Sequence, residues 1–455
     1  MSPPVLPVTG KRPAGKENRQ LPAAFLDRWR RPFARFLRIE AAGGGALLLA
    51  TLVALVLSNS PWAPWFLDLW ETRIGLGVGS LEFTRSLRDW INDALMTLFF
   101  FMVALELKRE LVLGELRNPR MAVLSIAGAV GGMLVPAALY LALQAGQPGQ
   151  PGWGIVMATD TAFVIGCLAL LGPGIPQSLR IFMLSLAIVD DIGAILVVAI
   201  GYSQSLDGTM LALGGLGLVL VRAMALGGVR HLPGYFLVGG GIWLAVDASG
   251  IHPTITGVIL GLLTPARRWV GDERLYAILS RVIAHPAGDH GSGDTKDRHT
   301  LQLAEVAVRE SLSPVERLGM ALHPWVGFVI MPLFALANAG VSFSLTALGD
   351  SVTLAVVAGF VGGKPAGVLL FSWLAVHSGL ALRPPELSWR LLTGGALLAG
   401  IGFTMALFIA NLALGGRLLD SAKLGIFLAS VVAALAGVIL LRWGRPLAGG
   451  AIDAG

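Results

Sequence analysis

Four ionisable side chains stand inside runs of apolar residues: Asp160 in "ATDTAF" (158–163), the adjacent Asp190 and Asp191 in "SLAIVDDIGAI" (185–195), and Lys364 in "GGKPAG" (362–367). A charged group at the centre of a bilayer costs at least ~2.5–3.5 kcal/mol on insertion scales, so one that persists faces a cavity or a partner. Hard cations take oxygen ligands, and carboxylates, hydroxyls and carbonyls supply them. The same carboxylates bind protons. Crowded together in a desolvated site they resist ionising side by side, so proton and cation compete for them. Adjacent residues on an α-helix point about 100° apart, which keeps Asp190 and Asp191 from serving one site in the same way. Asp191, Asp160 and Thr159 form the candidate cation set. The plainer alternative is an internal salt-bridge network that only holds helices together, with Lys364 clamping Asp190.

The elements that must position these residues are membrane spans. Of 455 residues 55% are hydrophobic and only 14% charged, and the mean hydropathy is +0.73; a soluble domain carries about 25% charged residues. Apolar segments are expected near 41–59, 92–112, 121–143, 154–172, 177–201, 208–224, 233–248, 251–266, 323–340, 352–376, 391–411 and 423–441. The fold class implied is an all-α membrane protein of about 12 transmembrane helices. Around them lie a basic arm (1–40), a connection (60–91), a long insert (267–322) and a tail (442–455).

Lys and Arg test the orientation. Nine lie in the arm and nineteen in loops on the same side, whereas Arg73, Arg85, Arg88, Arg417 and Lys423 are assigned to the opposite side. That asymmetry is the positive-inside pattern of an even number of spans with both termini cytoplasmic. Lys364 alone falls in the middle of an expected span. The net charge of +6 therefore reflects loop orientation, and no nucleic-acid partner is implied. Arg30-Arg31-Pro32-Phe33 faintly imitates a twin-arginine signal, but its long polar leader and the lack of a small-residue cleavage site favour a retained cytoplasmic arm. The single Cys167 excludes a disulfide framework and reads as a packing residue.

Glycines interrupt two of the spans. "GWGIVM" (152–157) precedes Thr159 and Asp160 in the fourth, and "LLAGIGFTMA" (397–406) lies in the eleventh. Paired interrupted helices point to a binding site at the midplane of a transporter, where Asp160 offsets positive helix ends and Lys364 negative ones. Close helix packing explains the same glycines equally well. On the outer side, "TRIGLGVGSLEF" (72–83) alternates apolar residues around glycines and reads as a β-hairpin.

Several separated motifs, "ATDTAF", "LAIVDDIGAI", "PLFALANAGV" (332–341), "GKPAG", "GIGFTMALFIA" (400–410) and "FFFMVALELKREL" (99–111), resemble the NhaA family of bacterial sodium/proton antiporters from about Glu40 to Arg442. The resemblance implies inverted-topology repeats with the fourth and eleventh helices interrupted and crossed, a fold for which this family is a known example. It implies Asp191 as the main ion and proton carrier, Asp160 and Thr159 beside it, and an Asp190–Lys364 pair involved in proton coupling. It further implies an electrogenic inner-membrane antiporter, not an enzyme, that exports Na+ or Li+ for a larger number of protons without a cofactor. Glu106, Lys108, Arg109 and Glu110 match the region associated with regulation by pH, and the 72–83 hairpin matches the support of a homodimer.

Two departures stand out. Gly319 and Met320 precede "HPW" (323–325) where the family often carries Glu and His, which leaves the pH response open. The insert between the eighth and ninth spans is longer than the resemblance leads one to expect, and His285, His290 and His299 among acidic residues read as a solvated, partly disordered loop rather than a metal site. His252, His323 and His377 lie near span ends and are expected to pack there.

Three rival readings fit the sequence less well. Intramembrane aspartyl proteases use a Gly-X-Gly-Asp motif within a helix, whereas here its only match, Gly291 to Asp294, lies in the hydrophilic insert. A sodium-coupled organic-anion symporter on the same fold would use Lys364 for its anion, against the acidity of three aspartates. In a channel, a buried Asp–Lys pair would suit continuous conduction poorly.

Overall fold

Helix α1 (Glu40–Ser58) shows how the sequence divides its surface. Leu47, Ala50, Thr51 and Ala54 are buried at helical spacing while Leu48, Leu49, Leu52 and Val56 stay exposed, so an inner stripe meets protein and the remaining apolar surface suits lipid. The hydroxyl of Thr51, buried in that stripe, donates to the Leu47 carbonyl at 2.8 Å. The structure is a computed structural model that describes residues 40–78, 81–113, 119–202, 206–229, 232–266, 270–283, 295–341 and 345–443. The arm, most of the tail and the middle of the insert, with His285 and His290, lie outside the described residues.

After α1 come α2 (Ala63–Glu71), the strands β1 (Arg73–Val78) and β2 (Leu81–Ser86), and α3 (Met96–Leu113), which is entered through a helical turn and a π turn from Leu87. The chain continues through α4 (Pro119–Leu143), a 3₁₀ helix (Gln150–Met157), α5 (Thr161–Leu170), α6 (Gln177–Gly201), α7 (Gly208–Leu226), α8 (Leu232–Ala248) and α9 (Thr254–Leu263). The remaining helices are α10 (Asp272–Ile283), α11 (Thr295–Glu310), α12 (Pro314–Trp325), α13 (Met331–Asn338), α14 (Ser351–Val357), α15 (Lys364–His377), α16 (Trp389–Ala399), α17 (Phe403–Ala413) and α18 (Gly416–Trp443).

Among the described residues eight helices are long and apolar enough to cross a membrane, or ten if each of two bent pairs is one span. The bends are 116° between α1 and α2 and 44° between α16 and α17. The chain is thus a multi-pass, mostly helical membrane protein. Its one sheet among the described residues is the β1–β2 hairpin, antiparallel from Arg73 opposite Ser86 to Val78 opposite Leu81, slightly longer than the 72–83 expected. Arg85 on β2 is ion-paired to both Asp93 and Asp247, which ties the hairpin to the π turn that enters α3 and to the last turn of α8.

The insert departs from the loop reading. Its described parts are the helices α10 and α11, which pack together. Their alternation of polar and apolar residues is amphipathic, too polar to register as a span yet regular enough to fold against the protein. α11 ends in Glu310, whose carboxylate pairs with Arg317 of α12 at 3.1 Å. α12 starts earlier than hydropathy indicated, because Ser313 and Glu316 form a reciprocal cap at 3.3 and 2.9 Å with Pro314 in the first turn.

One close contact sets the interior. α4 and α15 touch through Gly131 and Gly367, where a Cβ on either would lie 2.2 or 2.0 Å from the other's carbonyl oxygen. That approach, open only to glycine, seats the start of α15 and its Lys364 in the protein centre.

Candidate ion-binding site

Both interrupted spans break at the same place in space. In the fourth, the 3₁₀ helix ends at Met157 and α5 begins at Thr161, leaving Ala158, Thr159 and Asp160 outside helix. In the eleventh, α16 ends at Ala399 and α17 begins at Phe403. The Asp160 N–H donates to the Ile401 carbonyl at 2.7 Å, and the Thr159 hydroxyl donates to the Ala399 carbonyl at 3.0 Å. Each break thus satisfies backbone groups of the other.

Asp160 carries the positive ends. One carboxylate oxygen accepts the Phe163 N–H at 3.1 Å, capping its own helix α5. The other accepts the N–H of Thr404 at 3.0 Å and also its hydroxyl, at the first turn of α17. A carboxylate is suited to this position because the leading N–H groups of a helix have no internal partner and sum to a partial positive charge. Lys364 meets a negative end. Its ammonium donates to the Met157 carbonyl, the last of the 3₁₀ helix, and to Asp190 at 2.7 Å; Asp190 and Lys364 are both fully buried.

Asp191 is the exception. It is 3% exposed, and one of its oxygens accepts the Thr161 hydroxyl at 3.3 Å. Its other oxygen is buried without a hydrogen-bond partner. Asp190 also leaves one oxygen unbonded, but its charge is matched by Lys364 and that of Asp160 by helix ends; Asp191 has no ion-pair partner among the described residues. Among the described residues no three His, Cys, Asp or Glu side chains are grouped to hold a metal ion, so a cation at Asp191 would complete its shell with hydroxyl, carbonyl or water oxygens.

The structure therefore gathers Thr159, Asp160, Asp190 and Lys364 around the crossed breaks, with Asp191 one residue from Asp190 on α6. It also brings in Thr161 and Thr404, which the sequence reading missed, although both stand in the quoted motifs. A second buried lysine was missed as well: Lys423, assigned to an outer loop, is 5% exposed within α18.

Glu106, Lys108, Arg109 and Glu110 lie apart from this centre, on the last turns of α3. Lys108 donates to the Leu262 carbonyl at the end of α9, 2.5 Å away, and Arg109 pairs with Glu110 at 3.3 Å. Glu106 faces His323 of α12 at 3.7 Å, a contact the packing role expected for His323 did not include. His252 bonds Thr254 at 2.8 Å and approaches Asp93 at 3.6 Å, and His377 stacks on Trp373.

Comparison with known proteins agrees with this architecture. The family model described as Na+/H+ antiporter 1 matches residues 34–441. The chain is 63% identical over 435 residues to the Na(+)/H(+) antiporter NhaA 2 of Acidiphilium cryptum (strain JF-5), covering 96% of this chain and 97% of that one. It is 60% identical to the NhaA of Rhizobium meliloti (strain 1021) over 422 residues, 93% of this chain and 97% of the relative. With the NhaA of Rhodopirellula baltica it shares 51% over 426 residues, 94% and 97% of the two chains. Matched nearly end to end by proteins of one name, the chain belongs to the NhaA family of Na+/H+ antiporters.

Proposed function

We propose that this protein exchanges Na+ or Li+ for protons across the bacterial inner membrane, electrogenically, exporting the cation against a larger number of incoming protons. The observation that carries this reading is the contrast among three buried aspartates. Asp190 is neutralised by Lys364 and Asp160 by two helix ends, while Asp191 has no ion-pair partner among the described residues and holds only the Thr161 hydroxyl, its second oxygen unbonded. A carboxylate in that state takes either a proton or a small cation, and alternation between the two is sufficient for exchange. Asp191 is the carrier; Asp160 and Thr159 line the cation site; Asp190 and Lys364 couple it to protons.

The architecture that suits this activity has twelve spans in inverted repeats, with the 17-residue α8 and the 10-residue α9 added to the longer helices. The arm (1–40) and tail (442–455) lie in the cytoplasm on either side of an antiporter domain (41–441), and the insert (267–322) is cytoplasmic. The hairpin supports a homodimer. Glu106, Lys108, Arg109 and Glu110 set the response to cytoplasmic pH, and the imidazole of His323 beside Glu106 supports that assignment, since histidine changes charge near neutrality.

Dissipation of a pH gradient in everted vesicles on adding Na+, Li+ or K+ tests the proposal. The intact chain collapses the gradient with Na+ and Li+ and not with K+, and Asp191→Asn abolishes the response while the protein is still inserted at normal level. Sodium-dependent proton flux at the wild-type rate in Asp191→Asn overturns the assignment.

A further inference from the structure

The first half of the fourth span is an eight-residue 3₁₀ helix, Gln150–Met157. Runs of this geometry beyond three or four residues are uncommon, and a stretch within a longer helix marks strain or a hinge. It rises about 2.0 Å per residue against about 1.5 Å for an α-helix, so eight residues reach roughly 4 Å farther than they would wound as α-helix. That reach ends at the Met157 carbonyl, on which Lys364 rests.

Two phenols grip the start of this half-helix. Tyr140 of α4, fully buried, donates to the Gly149 carbonyl at 2.8 Å. Tyr202, the residue that ends α6, donates to the Pro151 carbonyl at 2.7 Å. They belong to the two helices that frame the charged pair: α6 carries Asp190, and α4 packs through Gly131 on the helix that begins with Lys364. The glycines of "GWG" leave the space for both hydroxyls. A Cβ on Gly152 would lie 2.6 Å from the Tyr140 hydroxyl oxygen, and one on Gly154 would lie 2.9 Å from that of Tyr202.

We propose that Tyr140 and Tyr202 are positioning residues that hold the first half of the fourth span in its extended 3₁₀ form and so keep the Met157 carbonyl on Lys364. The inference rests on the reading of Asp190 and Lys364 as part of the transport machinery. Released from the phenols, the half-helix winds toward α-helix, shortens, and withdraws Met157. Lys364 is left with Asp190 alone, and the pH at which transport turns on moves. Replacing each Tyr by Phe removes only the hydroxyl, and the Gly149 carbonyl keeps its bond from the Gly152 N–H at 3.0 Å, so the variants fold.

The test uses the full chain in liposomes, as Tyr140→Phe, Tyr202→Phe and the double variant, with amide exchange over 150–157 and sodium-driven proton flux against pH as readouts. One hydrogen bond of ~1 kcal/mol corresponds to about a fivefold change in an opening equilibrium. The double variant is therefore expected to exchange at least ~tenfold faster over 150–157, with its pH profile displaced by about half a unit or more. Gly152→Ala, which displaces the Tyr140 hydroxyl, reproduces Tyr140→Phe and adds little on top of it, the mark of two residues acting on one contact. Unchanged exchange overturns the clamp, and faster exchange with an unmoved pH profile overturns its link to Lys364. Asp191→Asn, measured alongside, keeps wild-type exchange and loses flux. If instead it transports, the transport reading fails while the exchange measurement still decides the clamp.

Discussion

The two interrupted spans solve one problem by different means. The fourth is broken by charge: Asp160 caps its second half and Lys364 holds the end of its first. The eleventh is broken by glycine. Gly400 and Gly402 fit against Phe360, where added Cβ atoms would fall 2.6 Å from its carbonyl and 2.2 Å from its ring. No ionisable residue lies between Leu397 and Ala413, so the helix ends at this break borrow their polar partners, Thr159 and Asp160 from the fourth span and the Ser430 hydroxyl from α18. The fourth span is therefore the polar frame of the site and the eleventh depends on it. Any movement that shifts Asp160 moves both.

Removing Asp160 is the most severe way to break this asymmetry. Asp160→Ala leaves the Phe163 N–H, the Thr404 N–H and the Thr404 hydroxyl without an acceptor, at ~1–3 kcal/mol for each donor left unsatisfied. A denaturing-detergent titration is expected to lose at least ~3 kcal/mol and to show faster amide exchange at the starts of both α5 and α17. Loosening confined to α5 would mean that the eleventh span holds its own break. Lys364→Ala comes next and strikes the fourth span alone. It strands a buried Asp190, at roughly 3–5 kcal/mol, and frees the Met157 carbonyl. Adding Asp190→Asn restores a large part of the stability but not transport, and a double variant no more stable than the single one would show that the pair is not the source of the cost.

What could be read from the sequence follows the same division. Asp160, Asp190, Asp191 and Lys364 were legible because a charge in an apolar run is rare and costly, whatever surrounds it. Hydroxyls carry no such signal. Within "ATDTAF" either threonine could have met Asp191; the cap at Asp160 starts α5 at Thr161 and gives that contact to Thr161, while Thr159 turns to Ala399. The glycines of "GWG" marked an interruption without revealing that it is 3₁₀ or that two phenols fill the gaps. Lys423 was misplaced because Arg417 and Asp420 lower the local hydropathy, although α18 already runs from Gly416 and is anchored there through Ser421 and Asp350 at 2.6 Å. The amphipathic α10 and α11 were missed for a related reason: a search for spans discards helices that lie against protein on one face only.

The mildest substitution sharpens the comparison most. Thr404→Val keeps the shape and the backbone N–H to Asp160 but removes the hydroxyl that reaches the same oxygen. The loss is one hydrogen bond to a charged acceptor, ~1.5–3 kcal/mol. If the eleventh span depends on the fourth, that loss appears at α17, as faster exchange over 403–406, while α5, still capped through the Phe163 N–H, remains protected. Equal loosening of α5 and α17 would show instead that the hydroxyl braces both breaks, making the two spans partners of equal standing.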